Sequence, residues 1–428
     1  MLPKLVKFIL FCAIVESGFG QTPVKLTLRE AEAIALKNHP QILASEHDVS
    51  YANQQIVETR SAYYPSVTGV VTGSQANDLA RIGAGDLPAS RLFTREGQGI
   101  VASQLITDSG RTPNLVASSR LNARASEQDL NATRYDVLLA VNRAYYELLR
   151  SQATVKVALE TVAARQTLSD QITELGKNQL KSQLDVSFAE VNVSQAKLLL
   201  LQAQSAVKSA QAELARALGG DQPSDYQLAE EALPAGPPDT PDPLITQAES
   251  NRPELASLKF SRDAAYKFAD AERDLKRPTV QVAAVGGYTP YINTTGVPSE
   301  YEGIAANVSI PVFNGHLFSA RQEAARQHAL AADQQLRNEQ ERIARDVRVA
   351  WANVTTSYQR IDVSAQFLRQ AAMAIDLAEG RYNLGLASIV ELTQSQLNLT
   401  KAEIENLNAK YDYQTQYAAL QYTVGALR

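Results

Sequence analysis

The chain has 428 residues, 45% of them hydrophobic and 20% charged, with 21 Gly, 17 Pro and one Cys. That composition excludes collagenous, disulfide-stapled and wholly disordered chains. No run of about 18 apolar residues occurs, which excludes a helical membrane protein. The 41 basic and 46 acidic residues, net charge −5, supply no basic face for nucleic acid.

Residues 1–20 read as a secretory signal peptide. Lys4 and Lys7 precede the short apolar run Phe8 to Val15, and Gly18 and Gly20 are small residues at a cleavage site before Gln21. Cys12 follows Phe11 inside that run, not the small residue that a lipoprotein anchor requires, so lipidation is not expected.

The remainder is a duplication. Asn38-His39-Pro40 resembles Asn251-Arg252-Pro253, and Tyr64-Pro65-Ser66-Val67 resembles Arg277-Pro278-Thr279-Val280, both at an offset of 213. From Gln104 to Gly219 the offset becomes 206 without a gap, with identities such as Arg120/Arg326, Val141/Val347, Asp170/Asp376, Ser182/Ser388 and Gly219/Gly425. Residues 21–219 and 244–428 are thus two copies of one unit. Between them, 220–243 holds Pro223, Pro234, Pro237, Pro238, Pro241 and Pro243 and reads as an extended connector.

Each copy opens with a helix, 27–62 or 244–276, that stops before Pro65 or Pro278. The period then switches to two, predicting strand pairs within 66–106 and 279–312. Val280, Val282, Ala284, Gly286 and Tyr288 alternate with Thr279, Gln281, Ala283 and Val285, and Ile304, Ala306, Val308, Ile310 and Val312 alternate with smaller residues. Runs of about ten residues with one apolar and one small-polar face suit tilted membrane strands, although a soluble hairpin carries the same alternation. Residues 76–98 and 289–300 read as loops. Tyr63, Tyr64, Tyr288, Tyr291 and Tyr301 at the strand ends suit an interfacial aromatic belt.

A long helix follows in each copy, 111–175 and 319–381. In the second copy Ile343, Val347, Ala350, Val354, Ser357, Ile361, Ser364, Leu368, Ala371, Ile375, Ala378 and Tyr382 step by four and three, the mark of a coiled-coil seam. Val137, Val141, Ala144, Leu148, Ser151, Val155, Ala158 and Val162 do the same in the first. Returning helices, 184–218 and 388–427, carry Leu184, Val191, Leu198 and Leu201, and Leu397, Ile404, Leu407 and Tyr411. Four strands per chain leave two open edges, which lipid does not tolerate. Several chains must therefore close one barrel; two would give eight strands and three would give twelve.

With this duplicated helix–strand–strand–helix–helix unit, the runs 104–110 (Gln-Leu-Ile-Thr-Asp-Ser-Gly) and 309–315 (Ser-Ile-Pro-Val-Phe-Asn-Gly), and above all the turn 381–392 (Arg-Tyr-Asn-Leu-Gly-Leu-Ala-Ser-Ile-Val-Glu-Leu), the chain resembles the TolC family of trimeric outer-membrane efflux proteins. The resemblance implies an α+β membrane protein in which long antiparallel coiled coils form an α-barrel and each chain gives four strands to a trimeric 12-stranded β-barrel. It further implies a passive export channel in the outer membrane with a periplasmic tunnel. The implied partners are two further copies, outer-membrane lipid, a periplasmic adaptor and an inner-membrane transporter of a tripartite efflux or type I secretion system. The rival readings are a periplasmic adaptor, which would carry a single hairpin with flanking β domains, and a secreted structural coiled coil.

The resemblance places the periplasmic mouth at 176–186 and 381–392. Asp185 and Tyr382 match a hydrogen-bonding pair that holds the coils shut, Glu391 matches a ring acid, and Gln394 stands where a second acid often sits. Leu184 and Ala387 replace the polar residues of another link. The tips that would face the adaptor are Gln179, Leu180, Lys181 and Ser182, with Gly385, Leu386, Ala387 and Ser388. No catalytic, cofactor or metal residue is expected: His39, His47, His316 and His328 are scattered, and no glycine-rich phosphate loop follows a strand.

Overall fold

The structure is a computed structural model that describes residues 24–75, 94–220, 226–290 and 298–427. The signal peptide expected over 1–20 and most of the loop regions 76–98 and 289–300 lie outside them. A short strand β1 (Val24–Leu26) leads into α1 (Leu28–Asn38) and α2 (Pro40–Arg60). The single opening helix predicted over 27–62 is therefore two. Ring sterics of Pro40 hold His39 at φ −69°, ψ 124°, outside the helical region, and proline then starts the next helix, where its missing N–H costs nothing. The Asn-x-Pro signature shared by the two copies is this break itself.

Next come β2 (Ser66–Ser74), β3 (Arg95–Thr107), α3 (Arg111–Lys177) and α4 (Gln183–Ala217). The connector holds β4 (Tyr226–Leu228), which pairs parallel with β1. The second copy repeats the order as α5 (Asp242–Asn251), α6 (Pro253–Asp274), β5 (Thr279–Tyr288), β6 (Glu300–Ser309), α7 (Leu317–Asn383) and α8 (Ile389–Thr423). Here too the predicted single helix 244–276 is broken, with Arg252 at φ −72°, ψ 122° before Pro253. Strand β3 begins inside the region expected to be loop, and β6 stops short of Pro311, which has no N–H for a ladder.

The sheet runs β2-β3-β5-β6, antiparallel throughout, so β2 and β6 are its edges. Its register puts Val67, Val71, Ile100, Val280, Val282, Ile304 and Val308 on one face and Thr68, Ser103, Gln281 and Asn307 on the other. Tyr301 lies on the polar face. It rests against Gly99 and Gly287, where a Cβ would collide with its hydroxyl, so it does not join the belt beside Tyr288.

Helices α3 and α7 each have 67 residues, about 100 Å at 1.5 Å per residue. The seam read along α7 is the buried stripe of that helix, with Ile361 and Leu368 half-buried within it. In α3 the stripe beyond Ala158 runs through Thr161, Arg165, Ser169 and Ile172. The returning helices pack differently from expectation. The buried row of α4 is Val186, Ala189, Val193, Ala196 and Ala203, while Leu184, Val191, Leu198 and Leu201 point outward. Small residues let α4 approach α3 closely, which leaves the bulky row on the opposite side.

The connector is strapped to the helices rather than free. Trp351 Nε1 donates to the Pro238 carbonyl at 2.8 Å, Tyr413 Oη to Ala235 O at 2.5 Å and Gln414 Nε2 to Glu231 O at 3.0 Å. A proline-rich segment short of amide protons can still accept, and Trp351, Tyr413 and Gln414 of the coils supply the donors.

Candidate functional site

The residues singled out for the mouth lie at one end of the molecule, in the turns α3–α4 and α7–α8. Both turns have the same backbone construction. In the first, Gln179 N donates to Gly176 O and Leu180 N to Leu175 O, each at 2.9 Å. In the second, Gly385 N donates to Tyr382 O at 3.0 Å and Leu386 N to Arg381 O at 2.8 Å. These paired bonds satisfy the last carbonyls of each helix and require a left-handed residue, Gln179 at φ 58° and Gly385 at φ 72°. Gly385 meets the requirement without a Cβ, whereas Gln179 carries the strain.

The next helix is then capped by Ser182 or Ser388. Ser182 Oγ accepts from Asp185 N at 3.1 Å, and the Asp185 carboxylate accepts from Ser182 N at 3.1 Å and Oγ at 2.8 Å, a complete capping box. Ser388 Oγ accepts from Glu391 N at 3.3 Å, but the Glu391 carboxylate turns to Arg381 Nε at 3.2 Å. Arg381 also donates to Leu386 O at 3.3 Å. Sequence reasoning missed Arg381, although a cation in the last turn of a helix, facing an acid across a tight turn, is a readable signal.

Tyr382 is not tied as expected. Its side chain is 4% exposed, packed with Ile172, Val186, Ile375, Ala378, Ile389 and Leu392, and its hydroxyl has no hydrogen-bond partner. Asp185 is close enough for its charge, after burial, to push the Tyr382 hydroxyl above the ordinary tyrosine range. Its oxygens, however, serve Ser182. Lys181 Nζ sits 3.7 Å from the centre of the Tyr382 ring, a cation–π contact between the two hairpins. Gln394 is exposed and donates to Asn398 on its own helix at 3.1 Å. Gln179, Leu180, Ser182, Gly385, Leu386 and Ser388 are exposed at the extreme tips, with Lys181 and Ala387 half-buried behind them.

The sequence model of the outer membrane efflux proteins matches residues 33–220 and again 244–426, one match for each copy. The chain belongs to the outer membrane efflux protein family. It is 22% identical over 438 residues to the outer membrane efflux protein BepC of Brucella suis biovar 1 (strain 1330), covering 99% of this chain and 91% of that protein. To the outer membrane protein TolC of Escherichia coli (strain K12) it is 21% identical over 429 residues, 96% of this chain and 84% of TolC. The fold matches the Campylobacter jejuni CmeC outer membrane channel with a TM-score of 0.78 at 17% identity, over 93% of this chain and 85% of that one. As a member of this family the protein is an outer-membrane channel component of efflux and secretion systems, with a tunnel in the periplasm. Its relatives are channels and not enzymes, and a family match through both halves sets aside the adaptor and the secreted coiled coil.

Proposed function

We propose that three copies of this chain assemble into one passive conduit, with a twelve-stranded barrel in the outer membrane and a continuous α-helical tunnel below it. The observation that carries this reading is a difference between equivalent helices. Ile404 and Leu407 of α8 are half-buried within the chain, but their repeat equivalents in α4, Leu198 and Leu201, are 60% and 62% exposed. What one repeat covers inside the chain, the other presents to a neighbour. The open edges β2 and β6 ask for the same partner, since unpaired strand edges are not stable in lipid. The face with Val71 and Ile304 then meets hydrocarbon, and the face with Thr68 and Asn307 lines the bore.

The tips form the periplasmic mouth. Tyr382 closes it by packing its ring between the hairpins, not by a hydroxyl bond, and Glu391 contributes an acid held by Arg381. Leu180 and Leu386, exposed at equivalent positions, form the surface for a periplasmic adaptor that links the tunnel to an inner-membrane transporter. The channel itself performs no catalysis, and energy comes from that transporter. The protein purified from outer membranes in detergent is expected to have the native mass of three chains and to convert to a single-chain band on heating. A water-soluble, monodisperse monomer without detergent defeats the proposal.

A further inference from the structure

Helices α4 and α8 are joined near the tips by Asn192 Nδ2, which donates to Thr393 Oγ1 at 2.9 Å. Asn192 is buried, and its carbonyl also accepts from Arg165 Nη1 at 3.2 Å. Arg165 is only 6% exposed, and its Nε has no partner. This polar clasp ties the first repeat to the second within one chain.

The 206-residue offset turns it into a statement about the assembly. Asn192 corresponds to Asn398, and Thr393 corresponds to Ser187, so an amide and a hydroxyl recur at the equivalent pair of positions. Two other polar contacts between α3 and α8 among the described residues have no such counterpart. The equivalents of Arg150 and Asp412, paired at 3.4 Å, are Thr356 and Ala206. Those of Tyr422 and Asp136, bonded at 2.6 Å, are Arg216 and Arg342. Within the chain Ser187 and Asn398 do not meet: both are exposed, and Asn398 accepts from Gln394 of its own helix.

In a closed ring of alternating repeats, the rotation that carries the first repeat onto the second carries the second onto the first repeat of the next copy. We propose that Asn398 of each copy donates to Ser187 of its neighbour, so that amide–hydroxyl clasps within and between chains alternate around the tunnel just above its mouth. This rests on the trimeric reading. Ala371 stands where the first repeat has Arg165, so the clasps between chains lack the supporting guanidinium and are the ones that part first when the mouth opens.

The test uses full-length protein carrying Cys12→Ser, solubilised from membranes. Ser187→Cys with Asn398→Cys, treated with the short thiol crosslinker dibromobimane, is expected to run on a denaturing gel as species of two and three chains. Asn192→Cys with Thr393→Cys is expected to become fluorescent as a single chain. A three-chain native mass with the Ser187→Cys, Asn398→Cys protein still single-chain on the denaturing gel overturns the clasp and leaves the trimer standing. A one-chain native mass overturns the trimer itself. In planar bilayers, Ser187→Ala and Asn398→Ala should each raise single-channel conductance by the same factor, with the double variant no higher. Independent, multiplying effects show that the two side chains do not bond.

Discussion

The two hairpin tips are built on one backbone pattern but stabilised by different means. The first turn is tied to itself: Ser182 and Asp185 exchange hydrogen bonds within the start of α4, and the left-handed position is filled by Gln179. The second is tied backward, because Arg381 draws Glu391 away from a complete capping box, and Gly385 makes the turn without strain. Duplication preserved the geometry that closes each helix while the side chains diverged. The first tip gained a rigid helix start, and the second gained an acid and a base that are half-exposed and free to respond to their surroundings.

The largest effect is expected where the tips meet. Tyr382→Ala removes an aromatic ring from a packed cluster and should destabilise the folded protein by about 3 to 5 kcal/mol, read as a fall in melting temperature, and should open the mouth in conductance recordings. Tyr382→Phe keeps the ring and removes an unpartnered buried hydroxyl, so melting temperature should hold or rise and conductance should stay unchanged. A fall with phenylalanine restores a bonding role for that hydroxyl.

Exchange of the turn residues sharpens the contrast. Gly385→Val forces a β-branched side chain to φ near 72° and should cost about 1 to 2 kcal/mol, whereas Gln179→Gly should stabilise by up to about 1 kcal/mol in chemical denaturation. No gain from Gln179→Gly would show that Gln179 holds its left-handed position without strain. A smaller effect follows from Arg381→Ala. The pair is half-exposed, so the stability change should be under about 1 kcal/mol and vanish in high salt, while the freed Glu391 should raise cation selectivity.

The smallest effect is a pH dependence higher in the coils. Burial, and then the charge of Glu160, hold the Glu403 carboxyl above the ordinary range. An acid raised in the folded state favours folding most when both states are protonated, below its unfolded value of about 4.3. That stability is lost as pH rises through the raised value. Glu403→Gln should therefore narrow the difference in melting temperature between acidic and neutral buffer, and an unchanged difference assigns it to other groups.

Much of this architecture could be read directly from the residues, because helix and strand periods are local. The stripe from Ile343 to Tyr382 is buried as its spacing predicts, and the strand register follows the alternation of Val280, Val282 and Ala284 against Gln281 and Ala283. Pro40 and Pro253 mark the repeat and are also the helix breaks, a consequence of pre-proline sterics that the same residues already contain. The mouth was legible only as a place. Gly385, Ser388 and Glu391 announce a tight turn and a helix start, but not where each side chain finds its bond.

Periodicity and turn chemistry in the sequence determined the duplicated unit, the four strands with one apolar face, the two long rods and the position of the tips, since each depends on neighbours a few residues away. Tertiary structure alone decided that Asp185 serves Ser182 and leaves Tyr382 unbonded, that Arg381 claims Glu391, that the connector is strapped onto the coils, and that the leucines of α4 face outward. Those outcomes are competitions among groups far apart in the chain for the same donor, acceptor or surface, and only the packed arrangement fixes which of them are within reach.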